Sequence, residues 1–218
     1  VLVSSRPQST LRQQIEENLW LVSSDINLAA AEVELAGVIG REVILRDLIA
    51  QDDAPFDFLF MDCGPSLGVL TLNALAASNE ILIPLQPHFL ALHGMGKLFE
   101  TTALVAQRIN PELSITGIVL CLFEAQTKLA QEVARDLQSF LDKSREGEKT
   151  PWSDARLFET RIRRNIKLAE AAGFGQSIFS YQPSCNGAED YTALALELLF
   201  GATPEPETVS GVQSDVIH

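Results

Sequence analysis

Residues Phe56–Gly68 read FDFLFMDCGPSLG, an apolar run that ends in a carboxylate and then turns on glycine and proline. Phe56, Phe58, Leu59, Phe60 and Met61 suit a strand buried on both faces, as in a parallel sheet. Asp62 then falls at the carboxyl end of that strand, where open α/β sheets bind their ligands. A buried strand followed by a turn that caps a helix gives the same pattern, and the local residues leave both readings open.

Working outward, residues 1–16 are polar and read as a loop or short helix, and Asn18–Ser23 as a short buried strand. From Asn27 the segment LAAAEVELAGVI has apolar residues at helical spacing, with Asp25 or Asn27 as the cap, and 41–50 continues helical. Beyond the opening stretch the pattern predicts a helix over Val69–Ala77, a strand over Glu80–Leu85, a helix over Gly94–Asn110 and a strand over Ile115–Phe123. An amphipathic helix over Thr127–Leu141 follows, then a loop of disorder-like composition, Lys143–Ser153. A strand over Arg156–Thr160, a helical run in RIRRNIKLAEAA, a strand over Ile178–Ser180 and a helix over Gly187–Phe200 complete the series. Alternating strands and helices predict an α/β fold with a doubly wound, mostly parallel sheet. One domain is expected over 1–200, and the Pro-, Glu- and Ser-rich tail 201–218 is expected to be disordered.

With 46% hydrophobic residues in 218, the chain can fill one sizeable core. Sixteen basic and 29 acidic residues leave a net charge of −13, so bulk electrostatics do not favour nucleic acid or anionic membrane. Cys63, Cys121 and Cys185 are odd in number and form no CxxC pair, which argues against a disulfide framework or a zinc site and fits a reducing cytosol. No apolar run approaches the ~20 residues of a membrane span.

Three motifs compete for a role. Gly64-Pro65-Ser66-Leu67-Gly68 matches the nucleophile elbow G-x-S-x-G, which makes Ser66 the nucleophile of an α/β-hydrolase. That reading needs a histidine late in the chain with an acid before it; His88 and His93 follow only Glu80, and His218 lies in the tail. Gly94-Met95-Gly96-Lys97 lacks both the first glycine and the hydroxyl residue of a phosphate-binding loop and reads as a helix start. Arg156, Arg161, Arg163, Arg164 and Lys167 place five of the 16 basic residues within twelve positions. They form either a phosphate-gripping patch or a solvated helix face paired with Glu159 and Glu170.

Four segments stand in a suggestive order: LVSSDINLAAAEVEL at 21–35, FLFMDCGPSLGVLTLNAL at 58–75, ILIPLQPHFLALHGMGKL at 81–98, and TRIRRNIKLAEAAGFGQSIFSYQPSCNGAEDYTALALEL at 160–198. Together they resemble the ParA/Soj family of partition ATPases, relatives of MinD-type P-loop NTPases with a deviant Walker A loop. The second segment looks like the family's D-C-P-P-S-L-G switch and the last like its R-N-x-x-L-x-E-A stretch. The resemblance spans roughly residues 18–200.

The resemblance implies ATP and Mg²⁺ as cofactors. Asp62 matches the family's magnesium-ordering aspartate, a catalytic and cofactor-binding position that reaches the metal through water, and Gly64 and Pro65 fall in the γ-phosphate switch. Arg163 and Asn165 lie in the segment that approaches the base, while Arg161, Arg163, Arg164 and Lys167 match the surface that holds nonspecific DNA. An ATP-dependent homodimer, a ParB-like partner that triggers hydrolysis, and a cytoplasmic, nucleoid-associated setting are implied with them. Gly64, His93, and Glu124 with Gln126 depart from the family pattern. The family's K-G-G-V-G-K-[ST] loop and D-x-D-P-Q segment are not in the sequence, so the chain is expected to be an N-terminally truncated piece of a working ATPase that alone hydrolyses ATP poorly or not at all. The alternative implied is a non-catalytic interaction module of the same fold.

Overall fold

The computed structural model of the chain describes residues 12–24 and 27–201, with only the backbone of 89–93. The elements are β1 (Gln13–Glu16), β2 (Leu19–Leu21), α1 (Leu28–Glu34), α2 (Ile44–Ile49), α3 (Val69–Ala77), β3 (Glu80–Leu85), α4 (Phe89–Arg108), β4 (Ser114–Phe123), α5 (Lys128–Arg145), β5 (Arg156–Leu157), β6 (Ile162–Arg163), α6 (Ile166–Gly173), α7 (Ile178–Tyr181) and α8 (Asn186–Phe200). A 3₁₀ turn, Leu35–Gly37, follows α1. The architecture is α/β. Backbone contacts divide the chain into two compact units, one of Val1–Leu82, Leu92–Thr116 and Leu141–Ala155 and one of Ile83–Ala91, Gly117–Phe140 and Arg156–His218.

In the first unit the core is Leu75, Val105 and Leu113, with Leu72, Ile81, Ala106 and Ile109 packed on it. Helices α2 and α3 are joined by a fully buried asparagine. Asn73 accepts from the Leu45 N–H at 3.0 Å and donates to the Arg41 and Val69 carbonyls at 2.6 and 2.8 Å, so its desolvation cost is offset by satisfied hydrogen bonds. The loop of disorder-like composition is pinned at its end. The Pro151 carbonyl accepts from the Ile115 N–H at 2.7 Å, and Trp152 meets the buried Phe99 edge-on at 5.0 Å. Composition reports the polar residues of such a loop, whereas one aromatic anchor decides its order.

Two strand expectations fail in this unit. Phe56–Met61 is no strand, because no neighbouring strand among the described residues takes up its backbone N–H and C=O groups. The side chains of Phe56, Phe58, Leu59 and Phe60 are exposed, Phe60 at 75%, and Phe58 and Phe60 stack on each other at 6.1 Å. Leu19–Leu21 does form a strand, but in a two-stranded antiparallel hairpin with Gln13–Glu16 that leaves Leu19, Trp20 and Leu21 exposed. The expected loop or helix at 1–16 is thus corrected where it is described, since Gln13–Glu16 pairs as a strand; 1–11 and Asp25 lie outside the described residues. Asn27 holds the N-cap position of α1.

In the second unit β4 is central. It lies beside β3, pairs in parallel with β5 through Gly117–Arg156 and Ile118–Leu157, and pairs in parallel with β6 through Cys121–Ile162 and Phe123–Arg163. Strand β5 stops at Leu157 rather than at the expected Thr160. The Glu197 carboxylate of α8 takes the next free donors, accepting from Glu159 N–H at 2.8 Å and Thr160 N–H at 2.9 Å, and so ends the ladder. Ile178–Ser180, expected as a strand, is one helical turn. The Ser177 side chain caps it by accepting from the Ser180 N–H, and Ile178 packs with Ala171 and Ala188, so cap and tertiary packing override β-propensity. Gly201, at φ +80°, ends α8, and the tail beyond it lies outside the described residues.

Candidate functional site

The stretch 56–61 delivers Asp62 to an exposed position, with no ion pair to any described cation. The chain then turns through Gly64, Pro65 and Ser66, all exposed, into α3. The entry into α3 is fixed by the Thr71 hydroxyl, which donates to the Ser66 carbonyl at 2.5 Å, and by the Leu72 N–H, which donates to the Gly68 carbonyl at 3.0 Å. Glu32 of α1 packs its carboxylate against Gly68 so closely that a Cβ there would collide with it. Partial burial and the neighbouring Asp62 charge push the Cys63 thiol above its ordinary range, which keeps it protonated and a poor nucleophile.

The donor set at this turn suits a hard divalent cation. A free carboxylate is an oxygen ligand, and Mg²⁺ is usually held by one or two carboxylates together with phosphate oxygens and water rather than by a protein cage. Among the described residues, no group of three or more His, Cys, Asp or Glu clusters for a metal. The hydrolase reading of Ser66 finds no support here: no strand precedes the turn, and no described histidine accepts a hydrogen bond from its hydroxyl.

The second unit places the cationic run at the carboxyl end of β4, around a bulge. Leu122 sits at φ +50°, a left-handed conformation that is uncommon outside glycine, and the register of β4 with β6 shifts between Cys121 and Phe123. The shift leaves Phe123 buried and Leu122 exposed. The Phe123 carbonyl accepts from the Arg164 N–H at 3.4 Å, and the Arg161 guanidinium lies over the Phe123 ring at 4.5 Å.

Arg163, Arg164 and Lys167 each have a carboxylate. Arg163 meets Asp190 at 2.6 and 2.9 Å, with Glu189 at 3.3 Å, and Asp190 also accepts from the Arg163 backbone N–H at 2.9 Å. These hydrogen bonds, Asp190 first, raise the affinity of the guanidinium for its proton. Arg164 pairs with Glu124 at 2.5 Å. Lys167 pairs with Glu170 at 2.7 Å, and the Tyr181 hydroxyl donates to the same carboxylate at 3.0 Å. Those two hydrogen bonds, Lys167 first, hold the Glu170 carboxyl below its ordinary value. Arg156, in β5, binds the carbonyls of Glu197 and Gly201 at 2.8 Å each and closes the end of α8. Asn165 caps α6 by accepting from the Lys167 N–H at 2.9 Å, which leaves its amide Nδ2 as a donor.

Sequence reasoning thus located the cations and, of the two partners it named, Glu170 pairs with Lys167, three residues away on one helix face, whereas Glu159 forms no ion pair with a described cation. Asp190 and Glu124 lie 27 and 40 residues from their arginines, and the Phe123 platform exists because of the bulge.

Compared with known proteins, the chain matches the family described as an AAA domain over residues 2–115. It is 40% identical over 191 residues to the chromosome-partitioning ATPase Soj of Treponema pallidum, covering 88% of this chain and 71% of that protein. It is 37% identical over 205 residues to the chromosome partitioning protein ParA of Myxococcus xanthus, covering 94% of this chain and 68% of that one. Among solved structures it resembles the cobyrinic acid a,c-diamide synthase of Mycobacterium smegmatis with bound ATP analog and magnesium, at a TM-score of 0.71 and 28% identity, covering 95% of this chain and 75% of that one.

Proposed function

The chain belongs to the ParA/Soj family of partition ATPases, and we propose that it acts in an ATP-driven switch that positions a chromosome or plasmid. In this reading Mg-ATP joins two subunits, the dimer holds DNA without regard to sequence, and a ParB-like partner triggers hydrolysis and release in the cytosol. Asp62 orders Mg²⁺, Gly64 and Pro65 form the loop that follows the γ-phosphate, and Asn165 offers its amide donor to the base. Arg161, Arg164 and Lys167 meet DNA phosphates, an interaction that weakens with salt. The observation that carries the reading is the 40% identity to a chromosome-partitioning ATPase over 88% of the chain. The free carboxylate of Asp62, set at the turn into α3, supports its metal role. No described helix is long and apolar enough to cross a membrane.

The test is retention of a labelled random-sequence duplex by the protein that carries this chain, with and without Mg-ATP, alongside light scattering for its mass. DNA binding and a doubled mass that both require Mg-ATP are expected. Binding that ignores nucleotide would sink the switch and leave a DNA-binding module.

A further inference from the structure

We propose that Glu124 is an internal competitor for the polyanion, holding Arg164 in a neutral pair until DNA phosphate displaces it; this rests on the DNA reading above. Around the carboxyl end of β4, Arg161, Arg163, Arg164 and Lys167 face Glu124, Glu170, Glu189 and Asp190, so four positive charges meet four negative ones. The cationic run is therefore not a standing positive patch. Beyond Arg161, phosphate reaches it only where a carboxylate can be displaced.

The pairs differ in how readily they open. Asp190 is buried and also holds the Arg163 backbone N–H, so Arg163 cannot leave it without stranding a buried charge. Arg163 is accordingly a structural anchor of β6 on α8 rather than a phosphate contact. Arg164 and Glu124 are both largely exposed, with side-chain exposures of 60% and 47%, and share one contact through Nε. An exposed pair of this kind is weak and easily exchanged for another anion. The guanidinium keeps its Nη1 and Nη2 edge for phosphate, the geometry that favours two-pronged binding. Arg161 has no carboxylate partner among the described residues and is oriented by the Phe123 ring next in sequence to Glu124, so the first contact falls to Arg161 and the second to Arg164. Lys167 is held by a carboxylate that also takes the Tyr181 hydroxyl, which makes it slower to release than Arg164.

Binding of a fluorescently labelled random-sequence duplex with Mg-ATP, titrated at several salt concentrations, tests the inference. Glu124→Gln should tighten binding about threefold, the scale of an exposed pair, and steepen the salt dependence by about one counterion. The gain should vanish when Glu124→Gln is combined with Arg164→Gln. If Arg164→Gln weakens binding but Glu124→Gln brings no gain, the competitor role is overturned while the DNA reading stands. If neither Arg161→Glu nor Arg164→Gln weakens binding, the DNA reading fails and the competitor role falls with it.

Discussion

Asp190 grips Arg163 twice, at the side chain and at the backbone: its Oδ1 accepts from the guanidinium at 2.6 and 2.9 Å, and its Oδ2 accepts from the Arg163 N–H at 2.9 Å. One carboxylate thus fixes both the register of β6 and the direction of its arginine. Asp190→Ala leaves a part-buried N–H and a half-exposed guanidinium without their main acceptor and should cost about 2 kcal/mol of stability. Arg163→Lys should not restore the wild-type value, because an ammonium cannot engage both oxygens side by side. Urea denaturation of both variants checks this, and a Lys variant as stable as the parent would count against the two-pronged geometry.

Glu197 makes acid stability a property of α8. Burial pushes its carboxyl up, but hydrogen bonds from Thr160 and Glu159 and the Arg156 charge outweigh that and hold it below its ordinary value of 4.5. A carboxyl depressed in the folded state contributes stability that is present above pH 4.5 and is lost as the pH falls through its lower folded value. Melting temperatures measured down that range should fall more steeply for the wild type than for Glu197→Gln. At neutral pH Glu197→Gln should already be less stable by about 2 kcal/mol, since an amide has one acceptor oxygen for two backbone donors.

Gly117 lies where β4 meets β5 so closely that a Cβ would strike the Arg156 carbonyl and the Phe158 ring. Neither neighbour can retreat, because Arg156 is in the ladder and the Phe158 side chain is fully buried. Gly117→Ala should cost about 1–3 kcal/mol, the scale of an overpacked core. An unchanged denaturation midpoint would mean that the strands are farther apart than described.

Asp62 is exposed and pairs with no described cation, so Asp62→Asn should leave the melting of the free protein within about 0.5 kcal/mol of the parent. On the proposed function, the same variant should lose the rise in melting temperature that Mg-ATP gives the wild type, because a ligand stabilises only the state that binds it. A full rise in the variant would remove Asp62 from the metal site.

The order of helices and strands from Val69 to Phe123 was legible in the sequence, because hydrophobic period and turn residues act over a few positions. The cationic run and the carboxylate before the Gly-Pro turn were legible for the same reason. The opening stretch was read incorrectly as a buried strand: strandedness depends on a neighbour, and local pattern carries no record of one. The four family segments are likewise a property of the sequence, since they rest on residue identity and order.

Only the tertiary structure decided which charges are free. Arg163 and Arg164 are adjacent in sequence, yet one is fixed to Asp190, 27 residues away, and the other to an exposed Glu124, 40 residues away. Sequence sets the number and sign of charges, whereas their energies fall off with distance and burial, and the fold alone sets those.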